Sequence, residues 1–476
     1  MPFPLIAIVI AIASLALNVI SALLRPKIND RPEKDWNIPT STEGRSIPVV
    51  WGTDLQKAPN IIWWGDQKEV KRNNIWRYFT GMAWALAHGA PTLKSIIVNE
   101  KVIWTGTLTH GQTLFLDKSN LLGKVSGGVV FDLKYYQGNG TTGADPYLAS
   151  RVANYPDHRR VAYLVSRGPA EWTSNSNWKG FIGNSPNLPT VEFELARFPD
   201  VPFSSAIGGD ANPIWMLYEA LTNEVWGCGV DPADAFEGID DASFQSAASQ
   251  VAAEGLGASY ILQESMQFPR FADMILRHVD GVLYREPTNG KWTVKLIRND
   301  YNSNQLLILD ETNIIEVQEF GTDVSGNLRD VVRIKFADRS KQYKESVATF
   351  RNPAVRAIQG YSSAVELDFP MVRDPGVAQR IAEREALGYS YPLRRLRVTA
   401  TRKAAKLRPG DVFRFIWAGY NVDAIFRVTS IRLGSPADGV VIVEAVEDKF
   451  SIASTTIGAE PSPAPDPEEP PPPEEE

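Results

Sequence analysis

Short apolar, β-branched runs closed off by Gly, Pro, Asn or Asp recur through residues 31–205 and again through residues 331–450, with one block of helical periodicity between them. Runs of this kind suit half-buried strands, and their turn residues stop any of them from growing into a helix. Ile47–Trp51, Ile61–Trp64, Ser95–Val98 and Val161–Ser166 belong to the first set. Val331–Phe336, Ser346–Phe350, Leu396–Thr401, Val412–Trp417, Ala424–Leu433 and Val440–Val446 belong to the second, with a tight turn at Pro409-Gly410-Asp411. Several antiparallel strands at close spacing predict a small barrel or sandwich. Two stretches, Gly138–Asp145 and Thr173–Pro189, read as surface loops.

Between the two sets, Asn212-Pro213 supplies an N-cap and a first-turn proline. Ile214, Leu217, Tyr218, Leu221 and Val225 follow at helical spacing, and Gly227 is the expected stop. Asp240 or Asp241 caps a second helix, with Phe244, Ala247, Ala248 and Val251 on one face and Gly255 at its end. A third helix is expected from about Pro269 to Val279, with Phe271, Met274 and Ile275 inward. Val282–Glu286 and Lys291–Ile297 flank Asn289-Gly290 and read as a hairpin, its loop lengthened by Pro287-Thr288. Asp374-Pro375 starts one more helix, with Val377, Ile381 and Ala382 inward and Arg380, Arg384 and Glu385 in solvent.

A chain of 476 residues exceeds one ordinary core, and domains of about 100–150 residues imply roughly three. The expected fold class is strand-rich α+β. Its expected divisions are an apolar N-terminal helix (1–28), a first β-rich domain (29–205), an α+β insertion with a hairpin (206–300), a second β-barrel domain with one helix (301–450) and a disordered proline/acid-rich tail (451–476). Seven of the 13 tryptophans (Trp36, Trp51, Trp63, Trp64, Trp76, Trp84 and Trp104) precede residue 105, so the first third holds large anchors for a core or an interface.

Residues 1–24 contain no charged side chain, and a helix of that length could span a bilayer core at ~1.5 Å per residue. A cleaved signal peptide would carry a positive side chain ahead of the apolar run, and none precedes it. Ser14, Asn18 and Ser21 form a weak polar stripe that suits packing against symmetry mates. A membrane anchor and a helix held inside an oligomer and later released both remain open.

The formal net charge is −7, and the last 18 residues carry seven acids and no base, so the remainder is balanced. Balance of this kind gives no footing for sequence-specific nucleic-acid binding. One cysteine, Cys228, builds no disulfide framework or zinc cluster. The four histidines (His88, His110, His158 and His278) show no metal-ligand spacing, so neither a metal nor a cofactor is expected. No nucleophile elbow, P-loop or dinucleotide fingerprint appears, and the glycines of 138–145 lack a following GK[ST]. Asp240-Asp241 could serve acid–base chemistry, but acids there more often cap a helix. Glu219 and Glu224 are five apart and do not share a helical face. His158 could pair with Asp157, though a polar loop histidine is the plainer reading. No catalytic residue is expected.

The stretch RSIPVVWGTDLQKAPNIIWWGD (45–66) resembles a segment of siphophage tail-tip proteins, the tip attachment or baseplate hub family, in which a strand ending in IPVVYG precedes one with an aromatic pair. NPIWMLYEALTNEVWGCGV (212–230) resembles that family's helix ending in LLTNxxWGxG. The acidic cap after Ile239, EGLG at 254–257, the helix at 374–388 and LRPGDVF at 407–413 follow in the family's order. An apolar N-terminal helix is common there too, and the likeness covers most of residues 1–450.

The resemblance implies two tube-like β-barrel domains joined by α+β insertions. It implies a homotrimeric hub in which six barrels mimic one hexameric tube ring, adapting sixfold tube to threefold tip, with DNA passing along the axis at infection. Implied partners are the distal tail protein or last tail-tube ring, the tape measure protein, and other tail-tip or fibre proteins. Residues 1–24 could touch the host membrane. The expected location is the virion tail tip, and the host envelope during infection. Many relatives carry long distal fibre domains, so other proteins are expected to recognise the host here. Some relatives or their partners hold iron–sulfur clusters, which one cysteine does not support. The rival readings are a membrane-anchored, non-catalytic binding protein and an enzyme of unfamiliar type, such as a cell-wall hydrolase.

Overall fold

The computed structural model describes Trp36 and residues 46–140, 143–169, 178–201, 204–322, 328–435 and 437–451. The expectations for residues 1–28 and for the tail from 452 lie outside the described residues. Within them the chain is strand-rich α+β, as the sequence predicts.

Eleven strands build the first sheet, and ten of them are consecutive: β1 (Val49–Gln56), β2 (Asn60–Arg72), β3 (Ile75–His88), β4 (Thr92–Val98), β5 (Lys101–Leu108), β6 (Thr113–Lys118), β7 (Val129–Tyr136), β8 (Val161–Ser166), β9 (Phe181–Gly183) and β10 (Val191–Arg197). Its main path runs β5-β4-β10-β1-β3-β8-β7-β6, with β2 and β9 joined to β3. β11 (Ala206–Ile207) and β12 (Asp210–Ala211) make a minimal hairpin, and β13 (Tyr260–Leu262) pairs with β1. β9 falls inside the stretch expected to be a loop at 173–189. It is only three residues long, and its strand character comes from pairing with β3 and β7 rather than from a local pattern.

The central body holds helices α1 (Pro213–Thr222), α2 (Asp241–Glu254) and α3 (Phe268–Val279), then the hairpin β14 (Gly281–Arg285) and β15 (Trp292–Leu296). The predicted caps act as expected. Asn212 accepts a hydrogen bond from the Ile214 amide at 3.1 Å, Asp240 accepts from Ser243, and Gly255 ends α2 at φ 68°. Helix α1 stops at Thr222, short of the expected Gly227. The Asn223 side chain accepts from the amides of Val225 and Trp226 and turns the chain out of the helix.

β16 (Leu307–Leu309), β17 (Ile314–Thr322), β18 (Val331–Asp338) and β19 (Lys344–Arg351) follow, then helix α4 (Pro353–Gln359), β20 (Ala364–Asp368) and helix α5 (Pro375–Ser390). β21 (Arg394–Thr401), β22 (Val412–Trp417), β23 (Val422–Arg432) and β24 (Val440–Glu447) are the last strands among the described residues. β19-β18-β20 form a three-stranded sheet, and β16-β22-β23-β24-β21-β17 form a six-stranded one.

The pairing leaves both large sheets open, where closed barrels were expected. In each, the two ends of the path are consecutive strands, β5 and β6 in the first sheet and β16 and β17 in the last. A four-residue turn bridges each seam: Gln112 donates to the Thr109 carbonyl at 3.3 Å, and Asn313 to the Asp310 carbonyl at 2.9 Å. The last sheet curls, since Phe320 of β17 reaches Phe415 of β22, with 6.0 Å between ring centroids. β16 has only three residues, too few to carry a ladder along the full length of β17.

Three large apolar cores and three smaller clusters result among the described residues. The first sheet encloses Trp84, Phe131 and Phe193. The last encloses Leu396, Phe413 and Phe426. The third lies between them and gathers Trp51, Trp215, Phe244 and Phe271 with Val332 and Ile334 of β18 and Ile381 of α5. Each large aromatic side chain withdraws about 150–250 Å² from water.

Candidate assembly site

β1 carries the residues that tie the first sheet to everything after it. Trp51 is fully buried and donates its indole Nε1 to Glu219 of α1 at 2.7 Å, while Arg197 of β10 grips the same carboxylate. Asp54 receives Nε and Nη2 of Arg373 at 2.9 and 2.8 Å, both side chains being less than a tenth exposed. Between these anchors, Thr53 donates its amide to Ser259 at 3.0 Å, Ser259 donates to Asp210 at 2.6 Å, and Arg339 closes the group on Asp210 and the Thr53 carbonyl. Tyr343 donates to Glu194 of β10 at 2.7 Å, and burial raises its phenol far above the ordinary range.

A second set joins the central body to the last sheet. Arg408 meets Glu286 with two prongs, at 2.8 and 2.7 Å, and holds that carboxyl below its usual range. Arg427 reaches Asp448 at 2.7 Å and donates to the Arg298 carbonyl at 2.9 Å. Planar guanidinium forks suit such sites, because two parallel bonds fix orientation as well as distance.

The residues singled out in the sequence are used structurally. Asp240 caps α2, and Asp241 accepts from Tyr218 at 3.1 Å. Glu219 belongs to the Trp51 and Arg197 anchor, and Glu224 is exposed. Asp157 pairs with Arg159 at 2.8 Å instead of with His158, whose Nε2 lies 3.2 Å from the Tyr155 hydroxyl. Asp145, in the first expected loop, caps the single helical turn Pro146–Ala149. Cys228 is exposed. Among the described residues no three His, Cys, Asp or Glu side chains converge on a metal position, and no helix is long and apolar enough to cross a membrane. Arg380, Arg384 and Glu385 were expected in solvent. Arg380 is exposed, while donating to the Gly255 carbonyl at 2.7 Å, whereas Arg384 and Glu385 are half-buried and Arg384 donates to the carbonyls of His278 and Arg277 at 2.8 and 2.9 Å. These cations satisfy carbonyls at the ends of α3 and α2.

What the fold leaves open is strand edge. Among the described residues β17 pairs with β21 alone, and β19 with β18 alone. Along β17, Ile315, Glu316, Gln318, Glu319 and Phe320 are exposed; along β19, Lys344, Glu345, Val347, Thr349 and Arg351 are exposed. Unpaired edges of this length are templates for a further strand. Sequence reasoning found β19 but not its edge position, because nothing in a strand's own residues tells its neighbours.

Residues 321–431 match the model of a family described as a putative phage tail protein. The match runs from the end of β17 into β23 and includes the free edge of β19. No curated protein sequence matches the chain. Over 94% of its length the chain shares the fold of one chain in the virion of a native gene transfer agent particle. That likeness covers 98% of the other chain, at 14% identity and a TM-score of 0.52. More distant structures are a tail protein from Neisseria meningitidis MC58 (10% identity, 76% of this chain and 98% of that one, TM-score 0.35) and a prophage tail protein from Listeria monocytogenes EGD-e (13%, 85% and 96%, TM-score 0.29).

Proposed function

We propose that this chain is a structural protein of a phage-type tail, a homotrimeric hub that closes the tail tube at its tip. The observation that carries the reading is the phage tail match at 321–431, set within a fold shared almost end to end with a gene transfer agent virion chain. Two large sheets per chain, each with consecutive strands at the two ends of its path, would give a trimer six tube-like units and so adapt a sixfold tube to a threefold tip. The divisions 29–205, 206–300 and 301–450 would then be two tube-like units and the insertion between them. The ion-paired junctions supply what such a ring needs, a rigid angle between its units. The ring's axis would form part of the DNA ejection channel, and a balanced body would not hold phosphate strongly as DNA passes. Its neighbours would be the last tube ring or distal tail protein, the tape measure protein and other tip proteins. Residues 1–24 would lie bundled on the axis or enter the host membrane. No enzymatic activity is assigned.

Antibody against the purified chain, applied to intact particles and viewed by electron microscopy, tests the placement. Label confined to the tail end away from the head is the expected result. Label along the whole tail, or on the head alone, would overturn the hub reading. The rival, a membrane-anchored binding protein, predicts instead that the chain pellets with membranes in the absence of every other tail protein.

A further inference from the structure

We propose that the proline- and acid-rich residues 461–473 dock as an extended polyproline segment on a row of aromatic rings at the open seam of the last sheet of the same copy. The row runs from β17 across β22 into the turn Ala418–Tyr420. Phe320 lies 6.0 Å from Phe415, Phe415 stacks on Trp417 at 6.1 Å, and Trp417 lies 6.5 Å from Tyr420, between ring centroids. Phe415 is buried and Trp417 half-buried, but Phe320 is 42% and Tyr420 79% exposed. Aromatic surface gathered in one place and left in water marks a binding surface. The Trp417 indole N–H also finds no acceptor among the described residues.

The chemistry of the row selects proline. A polyproline segment has no internal hydrogen bonds, so its carbonyls are free to accept from an indole N–H, and its preformed shape loses little entropy on docking against aromatic rings. It repeats every three residues, about 9 Å. Pro467, Pro470 and Pro473 therefore fall on one face. Two ring-to-ring steps separate Phe320 from Trp417, so successive prolines of that face can meet both. Charge agrees. Asp466, Glu468 and Glu469 lie among these prolines with no base, while Arg402, Lys403 and Lys406 are exposed and form no ion pair with another described residue. Lys403 stands near Asp310, the neighbour of Glu311, whose carboxylate accepts from the Gly419 amide at 3.2 Å, which places this cation at the rim that carries Tyr420. Position favours the chain's own segment. The Asp448 amide donates to the Ile425 carbonyl at 2.9 Å, and Ile425 is five residues from Tyr420, no more than about 18 Å along the chain. Residues 452–461 alone cover ~31 Å where extended.

The test is binding of a fluorescently labelled peptide of residues 452–476, followed by anisotropy, to the full-length chain in mild detergent and to the same chain stopped after Ser451. Unchanged circular dichroism and melting temperature serve as the control for folding. The stopped chain should bind the peptide at least about tenfold more tightly than the full-length chain, whose own segment competes at high effective concentration. In the stopped chain, Tyr420→Ser should weaken binding about tenfold. Lys403→Glu together with Lys406→Glu should weaken it about threefold and reduce its salt dependence. A peptide carrying Pro467→Ala, Pro470→Ala and Pro473→Ala should bind about tenfold more weakly; if it binds as well as the parent, the contact is one of charge alone and the polyproline docking is overturned. Equal binding by the full-length and stopped chains overturns occupancy by the chain's own segment, as does competition that appears only at concentrations where sedimentation shows the copies associating. No binding to the stopped chain overturns the proposal outright.

Discussion

Arg373 closes a two-pronged ion pair on Asp54, a residue 319 positions earlier in the chain. The pair sits where the first sheet meets the segment between β20 and α5, so the first sheet is fastened to a structure synthesised long after it. With Trp51–Glu219 and Arg339–Asp210 it makes β1 a common strut for sheet and helices.

Breaking that pair from one side should be costly. Arg373→Ala leaves the Asp54 carboxylate buried without its cation, and should destabilise the chain by about 3–5 kcal/mol in urea unfolding. Changing both partners together, Asp54→Leu with Arg373→Met, should recover most of the loss. Equal losses in the single and double variants would show that the pair's charges are not what matters.

Gly52 permits the close approach beside it. Its φ is 67°, and a Cβ there would lie 2.0 Å from Ser259 Oγ and 2.9 Å from the Ala211 amide nitrogen. Gly52→Ala must therefore push Ser259 away from Asp210 and Thr53 while also straining the backbone. The expected cost is about 3 kcal/mol. Ser259→Ala in the same background should relieve part of the clash, and a melting temperature unmoved by Gly52→Ala would contradict the described packing.

His278 gives the fold a pH dependence. It is fully buried, its Nε2 bonded to the Gly257 carbonyl at 3.1 Å. Desolvation, helped by Arg384, lowers its pKa from 6.5 to about 4. Between those values the unfolded chain takes up a proton that the folded chain refuses, so stability is full above the unfolded pKa and falls as pH drops toward the folded one. From pH 7 to pH 5 the chain should lose about 2 kcal/mol from this residue. His278→Gln keeps a donor for Gly257 and should flatten that interval. An undiminished loss in His278→Gln would assign the effect elsewhere.

Local signals carried much of the fold. Asn212-Pro213, Asp240, Gly255 and Asp374-Pro375 mark helix ends because capping is chemistry between residues two or three apart. The same Asn-Pro signal at Asn352-Pro353, with Gly360 after it, starts and stops α4. It was passed over because PAVRAIQ buries only Val355 and leaves Ile358 exposed, so no apolar stripe announces a helix. The candidate site was hardly legible. Asp54 and Arg373 are partners only through the tertiary fold, and Arg384 shows solvent-face spacing although α3 places two carbonyls within its reach. Seams and edges are likewise properties of the whole sheet. A run of alternating residues announces a strand but not whether its far side is paired.

The central claim is that the chain closes a tail tube as a threefold ring. The most direct measurement is the mass in solution of the chain lacking residues 1–24, with and without tail tubes, followed by negative-stain imaging. The account predicts a trimer with a central hole. A compact monomer under both conditions would contradict it.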